Sequence, residues 1–315
     1  MIDFYVNKDG QLAALDKPEQ HCWINISPPF DHEELEDLSQ RLDIPLDFLT
    51  DSLDIDERSR YEKEEDVKLI VINTPILTEE EAENDAIYIT VPIGIILLPN
   101  YIITISSFDN PVIEMFLDGK VKYFDPAKKD MFVLQLFEQT VYYFLLCLKK
   151  LNLKRSLIEQ ELFNSSRNAE LKQLLRIEKS LVYFVNSLSS NELLKMKMKR
   201  TDLLRIAGDE EKSDLFEDII IDNSQALEMA NVHTNILSGT MESYASIISN
   251  NMNVFIHRLT IITIILMVPT LVASFFGMNV PLPLSDSNAA FPFLIMLSIG
   301  IGLLLVWFFR RKNLF

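Results

Sequence analysis

Proline is missing from 142 consecutive residues, between Pro126 and Pro269, and that interval holds only two glycines, Gly208 and Gly239. Without the strongest helix breaker, the interval is expected to form long helices. Interruptions are expected around Asn164-Ser165-Ser166 and around Ala207-Gly208-Asp209, with a last helix from near Lys212 that meets no obvious stop before Phe276. Cysteine is nearly absent: Cys22 and Cys147 exclude a framework of disulfide staples and fit a reducing compartment. Basic residues are scarce, 29 against 46 acidic, for a net charge of −17. With no basic stripe to displace counterions from phosphates, no nucleic-acid partner is expected. The four histidines, His21, His32, His233 and His257, are scattered and form no dedicated zinc pattern. No glycine-rich phosphate loop, HExxH pair or nucleophile with a recognisable base is present, which argues against an enzyme. The N-terminus, Met-Ile-Asp-Phe-Tyr-Val-Asn, lacks the basic start and apolar run of a signal peptide.

Charge is also missing from the C-terminal fifth. From Asn253 onward the charged residues are Arg258, Asp286, Arg310, Arg311 and Lys312, a net +3, so residues 1–252 carry −20. An acidic body followed by a basic-edged apolar tail argues for a membrane anchor. Leu259 to Phe276 and Ala289 to Phe309 contain no charge. As helices they reach about 27 and 32 Å, against a hydrocarbon core of about 30 Å. Arg258 before the first stretch and Arg310-Arg311-Lys312 after the second place both termini in the cytoplasm and the short loop outside. Trp307, Phe308 and Phe309 fall where an interfacial aromatic belt belongs.

The first 115 residues suggest a mixed α/β body. His32 to Leu42 has helical spacing, and Val67–Asn73, Ala86–Leu98 and Tyr101–Ser106 have strand composition, with Pro99-Asn100 as a hairpin turn. Inside the first apolar stretch the polar residues fall on one face. Asn253, Ile256, Thr260, Thr263, Met267, Thr270 and Ser274 alternate at spacings of three and four, the seam of a helix bundle. Such a seam either glues helices together or lines a water-filled path. Both alternatives need several chains around one axis, because two helices cannot enclose a pore.

After the first stretch comes Gly277-Met278-Asn279 and a nine-residue loop. That motif, two spans from the C-terminus and behind a polar-striped helix, resembles the CorA family of magnesium transport proteins over the whole chain. Leu53-Asp54-Ile55-Asp56-Glu57-Arg58-Ser59-Arg60-Tyr61-Glu62 is similar to the family's stretch leading into a strand. Met267, Thr270 and Asn279 match pore positions, and Asn253 matches an asparagine at the cytoplasmic entrance. Ser274 stands where glycine is common, Phe275-Phe276 replaces an aliphatic–Tyr pair, and the loop carries a single acid, Asp286. The resemblance implies a funnel-shaped homopentamer in a bacterial or archaeal cell membrane. Its parts would be a cytoplasmic α/β domain (1–120), a helical segment (121–211), a stalk helix continuing into the first span (212–276), an external loop (277–288), a second span (289–309) and a basic tail (310–315). It implies passage of Mg²⁺, with Co²⁺ or Ni²⁺ possible, past a selectivity loop of Gly277, Met278 and Asn279. Gly277 is expected to need a backbone conformation that only glycine adopts cheaply.

The resemblance also assigns Asp218 to a regulatory metal at a subunit interface. Its partner is expected from a neighbouring chain, with the acidic run Glu79–Asp85 as one source. Two alternatives stay open: a Zn²⁺ transporter of the same architecture, and a membrane-anchored helical scaffold or sensor that conducts nothing.

Overall fold

The computed structural model describes residues 1–8, 10–78, 86–164, 168–278 and 290–312. It divides into an N-terminal unit, residues 1–239, and a C-terminal unit, residues 240–315.

The N-terminal unit is built on one seven-stranded sheet. Its strands are β1 (Ile2–Lys8), β2 (Gln11–Leu15), β3 (Trp23–Ile26), β4 (Arg60–Glu64), β5 (Val67–Leu77), β6 (Tyr88–Leu97) and β7 (Ile102–Ile105). Their order is β2-β1-β3-β7-β6-β5-β4, and only the β3–β7 pair is parallel. The turn at Pro99-Asn100 is closed by the Leu98 N–H on the Tyr101 carbonyl, at 3.0 Å. The helices are α1 (His32–Leu42), α2 (Leu46–Thr50), α3 (Pro111–Leu117), α4 (Lys129–Asn164), α5 (Asn168–Thr201), α6 (Glu210–Phe276) and α7 (Ala290–Arg311). The helix expected from near Lys212 begins at Glu210 and is assigned without a break through Pro269 to Phe276. The expected break at Ser165-Ser166 lies outside the described residues.

The long central strands are apolar on both faces, as strands covered on two sides must be. The alternation sorts the faces. Leu69 and Val71 of β5 join Ile96, Ile103 and Ile105 under α1 and α2, against Leu35, Leu38, Phe48 and Leu49. Ile70 and Ile72 join Ile93, Ile95 and Ile102 under the other layer, against Phe116, Phe132, Phe137, Leu194, Met198, Phe216 and Ile219. Each such side chain contributes about 1.5–3 kcal/mol by leaving water. The start of α6 is therefore part of the sheet's core.

Helix α5 is fastened to the sheet by polar groups at helical spacing. β4 pairs with β5 only as far as Val71, so Asn73 presents its backbone to an open edge. Asn191 supplies both partners: its Oδ1 accepts from the Asn73 N–H at 3.1 Å and its Nδ2 donates to the Asn73 carbonyl at 2.9 Å. Ser59 Oγ donates to the same Oδ1 at 2.6 Å. One and three turns earlier, Ser187 donates to Thr90 at 2.8 Å, and Ser180 accepts from the Ile87 and Tyr88 amides at 2.9 and 3.0 Å.

The 53–62 stretch lies where β6 lacks a side chain. A Cβ built on Gly94 would stand 2.0 Å from Ser52 Oγ and 2.4 Å from Ser52 Cβ, in the short turn Asp51–Leu53. That close approach lets the chain fold down into β4, where Arg60 binds Glu57 and Asp51 at 2.8 Å each and also binds Glu62. Gly94→Ala should lower the unfolding free energy of the N-terminal unit by about 1–3 kcal/mol through overpacking. Chemical denaturation of the parent and variant measures it, and equal midpoints would show that Ser52 moves aside freely.

Candidate ion pathway

Three helices among the described residues are long and apolar enough to cross a membrane: Lys129–Glu161, Glu210–Phe275 and Phe291–Arg311. Burial separates them. The most apolar window of the first is 61% buried, those of the other two 6% and 0%. Phe132, Leu136, Phe144 and Leu148 show where the apolarity of α4 goes, since all four are closed inside the N-terminal unit. The C-terminal unit instead leaves Leu266, Met267, Phe291, Met296 and Leu303 uncovered.

Within that unit each helix has one shielded stripe. On α6 it is Ile261, Ile265, Val268, Pro269 and Val272; on α7 it is Leu294, Ser298, Ile301, Gly302, Leu305 and Phe309. Among the described residues the unit consists of these two helices, so the stripes are the faces available for their packing. The polar seam lies on the opposite side of α6. At 100° per residue its centre is about 155° from that of the shielded stripe. Asn253, Ile256, Thr260, Thr263, Met267, Thr270 and Ser274 are all exposed in the single chain.

The threonines of the seam share one geometry. The hydroxyls of Thr260, Thr263 and Thr270 donate to the carbonyls of Ile256, Leu259 and Leu266, at 2.9, 2.8 and 2.8 Å. A hydroxyl has one proton and two lone pairs. With the proton held by its own helix, each Thr oxygen turns only acceptor capacity outward, which suits a cation or its hydration water.

At the end of α6 the Gly277 amide reaches the Ala273 and Ser274 carbonyls at 3.0 and 3.2 Å. The expectation for its backbone is not met. Gly277 is not among the glycines with positive φ, which are Gly10 and Gly119. A Cβ there would meet nothing nearer than those two carbonyl oxygens at 3.5 Å, an ordinary contact. The motif's glycine is therefore not imposed by a left-handed φ in this chain. Met278 is exposed. Asn279 and Asp286 lie outside the described residues.

Asp218 stands on α6, exposed beside Glu217, which pairs with Lys199 at 2.7 Å. The acidic run Glu79–Asp85 lies outside the described residues. Among the described residues no three His, Cys, Asp or Glu side chains gather to hold a metal within one chain. At the end of α7, Arg311 lies 5.3 Å from the Trp307 ring centre, a cation–π contact in the aromatic segment.

A family model described as CorA-like Mg²⁺ transporter protein matches residues 18–311. The chain belongs to the CorA family. It is 28% identical, over 327 aligned positions covering 98% of each chain, to the cobalt/magnesium transport protein CorA of Methanocaldococcus jannaschii. The complete structure of the CorA magnesium transporter from that organism superposes with a TM-score of 0.79 at 25% identity, covering 99% of this chain and 98% of the other. The cytoplasmic domain of ZntB from Vibrio parahaemolyticus superposes with a TM-score of 0.60 over 79% of this chain and 98% of its own, at 9% identity, a likeness of fold alone. The α/β domain, the long helix and the C-terminal apolar helix are those of the family's full-length fold.

The buried lysine of α5 escaped the sequence reading, although a signal was present. Leu174, Ile177, Leu181, Phe184, Leu188, Asn191, Lys195 and Met198 follow one another at spacings of three and four, and all are buried. Lys195 occupies a core position in that series, hidden among the charges of Lys-Met-Lys-Met-Lys-Arg.

Proposed function

We propose that this protein carries Mg²⁺, and with it Co²⁺, across a cell membrane through a pore shared by five copies of the chain. The seam of α6 carries the reading. It is the face left open after the shielded stripe, and its three threonine hydroxyls offer only lone pairs outward. The relative named as a cobalt/magnesium transport protein supports the choice of ions. The apolar windows of α6 and α7 serve as the two spans, and Arg310, Arg311 and Lys312 hold the C-terminus on the cytoplasmic side.

The chemistry suits an ion that keeps its water. Mg²⁺ sheds its octahedral shell reluctantly. A ring of Asn279 amides at the external mouth, with Gly277 and Met278 shaping the turn, would accept hydrogen bonds from that shell without stripping it. Asn253, Thr260, Thr263, Thr270 and Ser274 continue neutral oxygen contacts along the path. Weak, replaceable contacts permit release where carboxylate rings would hold the ion. Ile256 and Met267 are the apolar constrictions. The membrane potential drives a divalent cation inward by about 4.6 kcal/mol per 100 mV.

Reconstituted protein should take up Mg²⁺ and Co²⁺ into proteoliposomes when the interior is made negative, and Asn279→Ala should abolish uptake while preserving assembly. Undiminished uptake by Asn279→Ala removes that residue from the pathway. No uptake of any divalent ion by the parent protein leaves the scaffold reading.

Single cysteines separate pore from packing. Those at Thr263, Thr270 and Ser274 should react with water-borne thiol reagents in conducting protein, and those at Ile265, Val268 and Val272 should not. Equal labelling of the two sets would make the seam a packing face.

Asp218 is the proposed regulatory ligand. Divalent ions bridging exposed carboxylates of adjacent acidic bodies would relieve repulsion and favour a closed arrangement. Asp218→Ala should weaken inhibition by internal Mg²⁺ and leave the maximal flux intact; an unchanged inhibition curve excludes it.

A further inference from the structure

Within the N-terminal unit a fully buried lysine joins α5 to α6. Lys195 has no exposed surface. Its Nζ donates to Asn223 Oδ1 on α6 at 2.7 Å. Asn223 donates in turn through Nδ2 to the Leu188 carbonyl, at 3.0 Å, returning the link to α5. The groups facing Lys195 are otherwise neutral, apart from one. Helix α4 presents the Phe137 ring, 5.6 Å from Nζ. Helix α6 presents Asn223 and, beside it, Ser224, whose hydroxyl donates to Glu192. Beside Lys195 on α5, Leu194 and Met198 pack in one apolar cluster with Ile70, Ile72, Ile93 and Ile95 of the sheet. The charge that acts on Lys195 is that of Glu192, on its own helix.

An ammonium group needs three acceptors, and Asn223 supplies one. Protonated, Lys195 would hold an incompletely bonded charge among apolar side chains, which is strongly unfavourable. Burial accordingly pushes the amine down to about 7, and Glu192 offsets only part of that. Lysine at this place is therefore close to the balance point between its two forms in a neutral cytoplasm.

We propose that Lys195 and Asn223 form a proton-sensitive pin that holds α6 against α5 and slackens when Lys195 is protonated. Lys195 is a positioning residue, acting through the helix that carries the polar seam. Its influence on transport rests on the function proposed above; the pin itself does not.

The dependence on pH has a definite sign. The packed form releases its proton near 7, whereas an opened, hydrated lysine keeps it to about 10.4. Acidification therefore favours opening, and the effect levels off below the packed value. Between about pH 8 and about pH 6 the opening equilibrium rises about tenfold.

Hydrogen exchange of the full-length protein in lipid nanodiscs, normalised for intrinsic rates, tests this at the amides of 188–199 and 217–224. The parent protein should lose about tenfold protection there over that interval. Lys195→Met, an apolar chain of similar length, should lose none. Constant protection in the parent overturns the proposal, even where the variant fails to fold. So does an equal loss in the folded variant. Uptake should likewise respond to internal pH in the parent and not in Lys195→Met, and an equal response in both removes the pin from control of transport. A protein that transports no ion but shows the exchange difference would sink the proposed function and leave the pin standing.

Discussion

Everything in this chain hangs on the continuity of α6. One main-chain ladder runs from Glu210 to Phe276, and three environments are strung along it. Phe216 and Ile219 are core residues of the sheet. Asn223 and Ser224 are bound by polar groups of α5. From Thr260 onward the helix is apolar except for a seam whose threonine hydroxyls bond the backbone of the preceding turn. A helix is the one spanning element that satisfies its backbone without help, so it can leave water without breaking. An internal change in any one environment must be carried by the helix or absorbed by it.

Polar groups rather than apolar ones fix how the neighbouring layer is placed. Apolar burial holds α5 to the sheet but tolerates sliding, because one isoleucine is much like another. Asn191 meets one backbone N–H and one carbonyl at the point where β4 stops, and a shift of one residue would orphan both. Lys195 is the same device aimed at α6. The two lie four residues apart on one face of α5, one gripping the sheet and the other gripping the helix that leaves it.

Local chemistry made part of this legible in advance. The expected helix at His32–Leu42 is the observed α1, because Asp31 caps its first turn, accepting from Glu33 at 3.0 Å, and Asp43 turns left-handed after its end. The strands expected from Val67, Ala86 and Tyr101 are β5, β6 and β7, although β5 runs on to Leu77 through Pro75. β1, β2 and β4 were not separable by pattern, since they lie toward the sheet edges and carry mixed residues that give no clean alternation. Gly277 shows the opposite failure. Its motif was recognisable, but the backbone reason assigned to it was not the one the chain uses. The apolar residues of α4 have their destination in the sheet's own core, where Phe132, Leu136 and Phe137 join Ile70, Ile72 and Ile95.

The comparison of α4 with α6 explains why hydropathy and destination separate here. Both carry windows apolar enough to span a bilayer. In α4 the apolar residues include Phe132 and Phe144, rings that pack edge-on against other rings of the same unit. Aromatic shapes of that kind require fitted protein partners. Between Leu259 and Phe276 aromatics appear only at the last two positions, and apart from Met267 and Pro269 the rest is aliphatic, threonine or small. Aliphatic surface suits lipid tails, and a threonine bonded to the carbonyl four residues before it is tolerated either among tails or beside water. The first helix is therefore specified for a unique core. The second carries an aliphatic surface with a seam of threonines bonded to the preceding turn of their own helix.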